Sequence, residues 1–355
     1  MIGRTAVMLL VVMAWAGQTQ AAPTIHLQSA PSGVSLAGSL NAVTMNLGNG
    51  NGLAVGTPAI GVVLASLASG PVYSSAFTVS LTGWGGGASI SVTAYVSANF
   101  VHAGGASPLV AVMHCQAADC TVAANQQQLS TSSASPTAIR SGVADKTNFT
   151  SNVGALIGYV NGGSAFTGPD SATITFTAVD TANTGHSDTV TLTVSTTVQQ
   201  AVQFSLATAG GLPVSAGGST DYLVDFGTVD GLGVSSGNGT TVSVTPAGAR
   251  YSSPYLARPA FSSMTSTTGT VRMYVSGNFA HTNLLQLQDS ATGAANTFGA
   301  ISTSATPAQQ TVISTSAQSK VSITRYLGLF VFNINGPGAF TGADSAVITY
   351  TLIVP

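Results

Sequence analysis

The chain has 355 residues, 45% of them hydrophobic and only 5% charged, with a formal net charge of −2. A protein that grips nucleic acid by its phosphates needs a basic surface, and this composition supplies none. Intrinsic disorder is excluded by the high apolar content, since disordered chains are poor in hydrophobic residues.

In chain order, "MIGRTAVMLLVVMAWAGQTQA" (residues 1–21) joins one early cation, Arg4, to an apolar run from Ala6 to Ala16 and small residues near Ala21. This is the pattern of a secretory signal peptide cleaved after Ala21, and the run is shorter than the roughly 20 apolar residues of a membrane span. An exported chain without a membrane span is expected. The remaining stretch of about 330 residues suits two domains.

An internal duplication organises that stretch. "NLGNGNGLAV" (Asn46–Val55) aligns with "DFGTVDGLGV" (Asp225–Val234), and "TAYVSANFVH" (Thr93–His102) with "RMYVSGNFAH" (Arg272–His281), both at an offset of 179. "YSS" recurs at Tyr73 and Tyr251, and "SAFTGPDSATITFT" returns as "GAFTGADSAVITYT" at an offset of 174. The two units are read as residues 22–199 and 200–355. Within them Ala172, Ile174, Phe176 and Ala178 alternate with polar residues, as do Val190, Leu192, Val194 and Val198. Such alternation predicts strands with one buried face, and "GNGNG", "GWGGG", "SSGNG" and "NGPG" supply the turns. The expected fold is all-β: two tandem immunoglobulin-like antiparallel β-sandwiches.

Candidate sites are few. Trp84 sits among glycines in "LTGWGGGAS" (Leu81–Ser89), so Gly83, Trp84 and Gly85 form either an exposed aromatic anchor for a surface or a plug folded over the sandwich end. "PLVAVMHC" (Pro108–Cys115) is a second candidate for attachment. Cys115 and Cys120 are the only cysteines; in an oxidising compartment they suit a short-loop disulfide, the other reading being a metal held with His114. His102 and His281 occupy equivalent repeat positions, as do Asp170 and Asp344 inside "FTGxDSA", which suggests turn-capping roles. "DTANTGHSD" (Asp180–Asp188) offers oxygens to calcium without the acidic spacing of a dedicated loop. There is no Glu, and HExxH does not occur. No enzymatic activity, metal or cofactor is expected, and a carbohydrate-binding or hydrolytic module is disfavoured.

The two units differ at their ends. After the first "FTGxDSA" strand the chain continues through "HSDTVTLTVSTTV", whereas no counterpart follows the second before Pro355. If both units share one sandwich, the second lacks its last strand. Ile348, Tyr350, Leu352 and Val354, with Ala346, then line a groove open to a strand from another chain. The alternative is a second sheet closed by rearranged strands.

"LVDFGTVDGL" (Leu223–Leu232), "TLTVSTTVQQAVQFSL" (Thr191–Leu206) and "DSAVITYTLIV" (Asp344–Val354) resemble the pilin-like domains of the spore coat protein U family of archaic chaperone/usher pili. That resemblance implies a two-domain tip adhesin: a complete N-terminal adhesin domain attaching to an abiotic or cell surface, then a pilin domain completed by donor-strand complementation. Its implied partners are a periplasmic chaperone and a neighbouring pilin subunit, and its implied location is the cell surface, reached through the periplasm. "TIHLQSA" (Thr24–Ala30) starts near the cleavage site and matches "VQFSLA" (Val202–Ala207), which leaves little room for a donor strand before it and favours the tip position. The alternative is a self-contained secreted structural or coat protein with two complete sandwiches.

Overall fold

The computed structural model describes residues 22–54, 56–67, 70–102, 110–115, 126–158, 167–216, 221–235, 237–262, 268–305, 310–315, 322–334 and 339–354. The signal-peptide segment and Cys120, and with it the disulfide, lie outside the described residues. The strands of the first half are β1 (Thr24–Ser29), β2 (Ala37–Ser39), β3 (Ala42–Gly50), β4 (Val62–Leu67), β5 (Gly70–Thr82), β6 (Ile90–Ala98), β7 (Val110–Cys115), β8 (Gln126–Gln128), β9 (Thr137–Val143), β10 (Asn148–Ile157), β11 (Gly168–Asp180) and β12 (Ser187–Val198). Those of the second half are β13 (Ala201–Thr208), β14 (Ser215–Ala216), β15 (Tyr222–Leu223), β16 (Thr241–Thr245), β17 (Gly248–Ser262), β18 (Gly269–Gly277), β19 (Leu285–Ser290), β20 (Gly299–Ala300), β21 (Gln310–Thr315), β22 (Ile323–Phe332) and β23 (Val347–Ile353).

In sandwich one, a sheet ordered β1-β5-β10-β7-β8, with β4 also on β5, faces a sheet ordered β2-β3-β12-β11-β6-β9. The period-two alternation of β11 and β12 turns Ile174, Phe176, Leu192 and Val194 inward, where each is fully buried. Phe77 of β5 meets Phe176 edge-to-face with ring centroids 5.5 Å apart, joining the two layers. The all-β architecture expected from the alternation is therefore the one observed. Among the described residues no helix is long and apolar enough to cross a membrane.

Sandwich two repeats the first sheet as β13-β17-β22-β19-β20, with β16 on β17. Its opposing layer is divided into a two-stranded piece, β14-β15, and a three-stranded piece, β21-β18-β23.

The repeated "FTGxDSA" phrase forms the same cap in both units. Asp170 accepts the N–H groups of Val101, His102 and Ser171, at 2.9, 3.1 and 2.8 Å. Asp344 accepts those of Ala280, His281 and Ser345, at 3.0, 3.0 and 2.8 Å. The His102 and His281 rings each bring Nδ1 to the same carboxylate, at 3.0 and 2.9 Å, so these histidines belong to a turn. Burial by itself raises the Asp344 pKa. The hydrogen bonds from Ala280, the His281 ring, the His281 backbone and Ser345 outweigh it and hold the carboxyl at about 2, against an ordinary value of 3.8.

A folded-state value below the unfolded one means that this carboxylate contributes its stability fully above about pH 4 and loses it as pH falls toward 2. Asp344→Asn should lower the melting temperature at neutral pH. The gap to the parent chain should close as thermal melts are moved from about pH 4 to about pH 2; a gap independent of pH would remove the carboxylate's charge as its source.

Candidate functional site in the second sandwich

The sheet orders of the two units, set side by side, define the site. In sandwich one, β12 lies between β3 and β11, antiparallel to β11 with Ile174 opposite Leu192, and parallel to β3 with Leu192 opposite Val43. In sandwich two the order β14-β15 matches β2-β3, and β23-β18-β21 matches β11-β6-β9. Among the described residues nothing occupies the position of β12. The outer backbone edge of β23 and the edge of the β15 segment therefore border a slot at the position that β12 takes in sandwich one.

The segment equivalent to β3 keeps its local bends without its partner. Asp225 Oδ1 accepts the Gly227 N–H at 2.8 Å with Gly227 at φ 70°, just as Asn46 Oδ1 accepts Gly48 N–H at 2.9 Å with Gly48 at φ 77°. Yet only Tyr222–Leu223 of this segment is strand, where β3 runs nine residues. Met45 and Leu47 of β3 are fully buried, and their counterparts Val224 and Phe226 are half-buried. The same holds across the slot: Ile174 and Phe176 are fully buried, and Ile348 and Tyr350 are half-buried.

The predicted groove residues Ile348, Tyr350 and Leu352 stand on one face of β23 and pack together at the margin of the second core. Val354 is half-buried just beyond the end of the strand. Phe204 of β13 stacks on Tyr350, with ring centroids 5.7 Å apart and planes at 27°, a wall of the slot that sequence reasoning missed. On the opposite face of β23, Val347 is 58% exposed.

Tyr350 also begins a polar chain running inward. Its Oη donates to Tyr255 Oη at 3.1 Å, Tyr255 Oη donates to Asp289 Oδ1 at 3.3 Å, and Asp289 pairs with Arg325. All except Tyr350 are buried. Burial pushes the Tyr350 hydroxyl above its ordinary range, so it remains a neutral donor. Burial likewise raises Asp289, with the Arg325 hydrogen bond and charge opposing the rise. In sandwich one the equivalent positions are Phe176, Phe77, His114 and Ser151, aligned by the strand registers. There His114 Nε2 lies 3.2 Å from Ser151 Oγ, and burial lowers the imidazole to about 4, leaving it neutral near pH 7. The closed sandwich thus has an uncharged interior at this level. Sandwich two anchors the tyrosine of β23 to a buried ion pair, whose signal in sequence was an Asp and an Arg inside the apolar patterns "LQLQDS" and "ITRYLGLF".

The other sequence-derived sites fare differently. Trp84 is not an exposed anchor: its side chain belongs to the first core and it is only 2% exposed. Its Nε1 donates to the Thr24 carbonyl at 3.0 Å, and its backbone N–H donates to Asp145 Oδ1 at 3.0 Å. With its polar groups satisfied, the indole gains most by burial. Gly83 and Gly85 serve the turn, at φ 79° and 89°, and Gly85 N–H donates to Asp145 Oδ2 at 3.3 Å. Of the second candidate segment, Val110–Cys115 is β7, paired with β10 in the first sheet. Asp180 and Asp188 accept the backbone N–H groups of Ala182 and Ile25, at 3.0 and 2.9 Å.

No protein-family model matches the chain, and no curated protein matches it. Among solved structures it is similar to the complex of CsuC with the tip subunit CsuE from archaic chaperone-usher Csu pili of Acinetobacter baumannii. That match has 11% identity over 90% of this chain and 99% of that one, with a TM-score of 0.33. It is similar to the CupB6 tip adhesin of Pseudomonas aeruginosa at 10% identity, over 93% and 94% of the two chains, with a TM-score of 0.31. It is also similar to the CooA pilin subunit of enterotoxigenic Escherichia coli at 13% identity, over 50% of this chain and 99% of that one, with a TM-score of 0.28.

Trp84→Ala should cost the first sandwich about 3–5 kcal/mol, the usual range for deleting a large buried aromatic. Chemical denaturation followed by a first-sandwich probe measures it. A variant as stable as the parent would return the indole to the surface.

Proposed function

We propose that this chain is an exported, non-enzymatic pilus subunit, placed at the tip of a chaperone/usher fibre. Its first sandwich attaches to a surface, and its second is completed by a strand donated by a neighbouring subunit. A periplasmic chaperone holds the second sandwich before that strand arrives. The observation that carries this reading is the pair of sheet orders: one slot filled by β12, the equivalent slot bordered on both sides by unpaired strand edges among the described residues. Sandwich one draws its β12 from its own chain, which suits a terminal position. The attachment surface lies elsewhere on sandwich one than the buried Trp84.

Magnitudes support the need for a donated strand. β12 buries Val190, Leu192, Val194 and Val198, each worth roughly 1.5–3 kcal/mol, so the strand contributes on the order of 6–12 kcal/mol before entropy. That equals the whole stability of a typical domain, about 5–15 kcal/mol. A sandwich without this strand is marginal, and a strand of the same alternation is its natural ligand.

The test uses residues 22–355 and a synthetic peptide of residues 187–198. The peptide should bind and raise the melting temperature of the second sandwich. A version carrying Leu192→Asp and Val194→Asp should do neither. A second sandwich that melts cooperatively at the same temperature with and without peptide, and binds none of it, would sink the proposal in favour of two self-contained sandwiches.

A further inference from the structure

One loop occurs twice with the same internal bonding and opposite surroundings. In sandwich one, Tyr73 Oη donates to the Asn51 carbonyl and accepts the Asn51 N–H, both at 3.0 Å. Asn51 Oδ1 accepts the Leu53 N–H at 3.0 Å, and Ala54 turns through φ 63°. In sandwich two, Tyr251 Oη donates to the Asp230 carbonyl and accepts the Asp230 N–H, both at 3.1 Å. Asp230 Oδ1 accepts the Leu232 N–H at 2.8 Å, and Gly233 turns through φ 71°. Leu53 and Leu232 are thus presented by the same device.

What covers them differs. Leu53 is 5% exposed, packed with Ala201 of β13 and Ala260 of β17. Leu232 is 61% exposed, its neighbour Val234 84% and Val244 57%. Val244 belongs to the same patch: a Cβ added at Gly233 would lie 2.4 Å from Val244 Cγ2.

The chain path explains the cover on Leu53. β12 ends at Val198 and β13 begins at Ala201, so the strand that completes sandwich one becomes the first strand of the next sandwich after two residues. Gln199 N–H donates to the Gly50 carbonyl at 2.8 Å and fixes that exit beside the loop. Filling the slot and covering the leucine are consecutive acts of one segment.

We propose that the Leu232/Val234/Val244 patch is the seat of the leading strands of the following subunit. The strand donated to the slot of sandwich two continues, within about two residues, into the first strand of its own sandwich, as β12 does into β13. It lays small side chains, in the manner of Ala201 and Ala260, against Leu232. This rests on the strand-accepting reading and adds a second contact to it. A strand with no sandwich behind it fills the slot and leaves the patch bare. The patch is apolar, so its partner surface is apolar and built of small residues that let the backbones approach.

The two ideas separate in one experiment with three chains. The first is residues 22–355. In the second, residues 181–200 follow Val354, reproducing the hairpin that carries β12. In the third, residues 181–200 are followed by residues 22–199, a sandwich that supplies its own strand. Hydrogen exchange of residues 346–353 should slow in both extended chains, and that of residues 230–245 only in the third. The expected change is about tenfold or more, the effect of burying one leucine. Leu232→Asp in the third chain should restore fast exchange at residues 230–245 and leave residues 346–353 protected. Equal exchange at residues 230–245 in the second and third chains, with residues 346–353 protected in both, would overturn the docking patch alone. Unchanged exchange at residues 346–353 in both extended chains would overturn the strand-accepting reading itself.

Discussion

A strand inside a sheet must find hydrogen-bond partners on both edges and cover for its apolar face, and β12 does all of this for sandwich one. It joins β3 to β11, converts two separate strand edges into one continuous sheet, and closes the core over Met45, Leu47, Ile174 and Phe176. The pairing is antiparallel on one side and parallel on the other. Without a strand in that position β3 and β11 have no contact through the sheet. Among its described residues sandwich two displays that condition: the β3-equivalent shrinks to a two-residue strand, and the inward side chains on both sides of the slot stay half-buried.

The slot nevertheless has a defined floor. Tyr350 is held by the Phe204 ring on one side and by the hydrogen-bonded chain through Tyr255 to the Asp289–Arg325 pair on the other. Removing one member of a buried ion pair leaves an uncompensated charge, so the pair ties the position of the edge strand to the integrity of β19 and β22. Sandwich one, closed by its own strand, has phenylalanines at the two tyrosine positions. The polar anchor is present in the unit whose β23 edge has no neighbouring strand among the described residues.

The duplication gives the two units one set of local devices used to different ends. The Asp170 and Asp344 caps, the Tyr73 and Tyr251 loop ties and the positive-φ turns at Gly48 and Gly227 are the same constructions. They hold without regard to whether the sheet beside them is complete, because each is satisfied within a few residues or by one neighbouring strand. Completion, by contrast, depends on β12, which has no counterpart among the described residues of sandwich two. The β12 segment belongs to sandwich one by pairing and leads directly into sandwich two by sequence.

This division also separates what was legible in the amino-acid order from what was not. The order of residues by itself determined the strands, through period-two alternation in β11 and β12. It also determined the repeat, the capping aspartates, and the face of β23 carrying Ile348, Tyr350 and Leu352. Tertiary structure alone decided the fate of Trp84, whose indole found the Thr24 carbonyl some sixty residues away. It alone brought Asp289 to Arg325, and it alone set β12 parallel to β3. Leu53 and Leu232 state the reason most simply. Hydrogen bonds within a turn are local and so are written in a short sequence, whereas burial depends on which distant strand comes to rest on top.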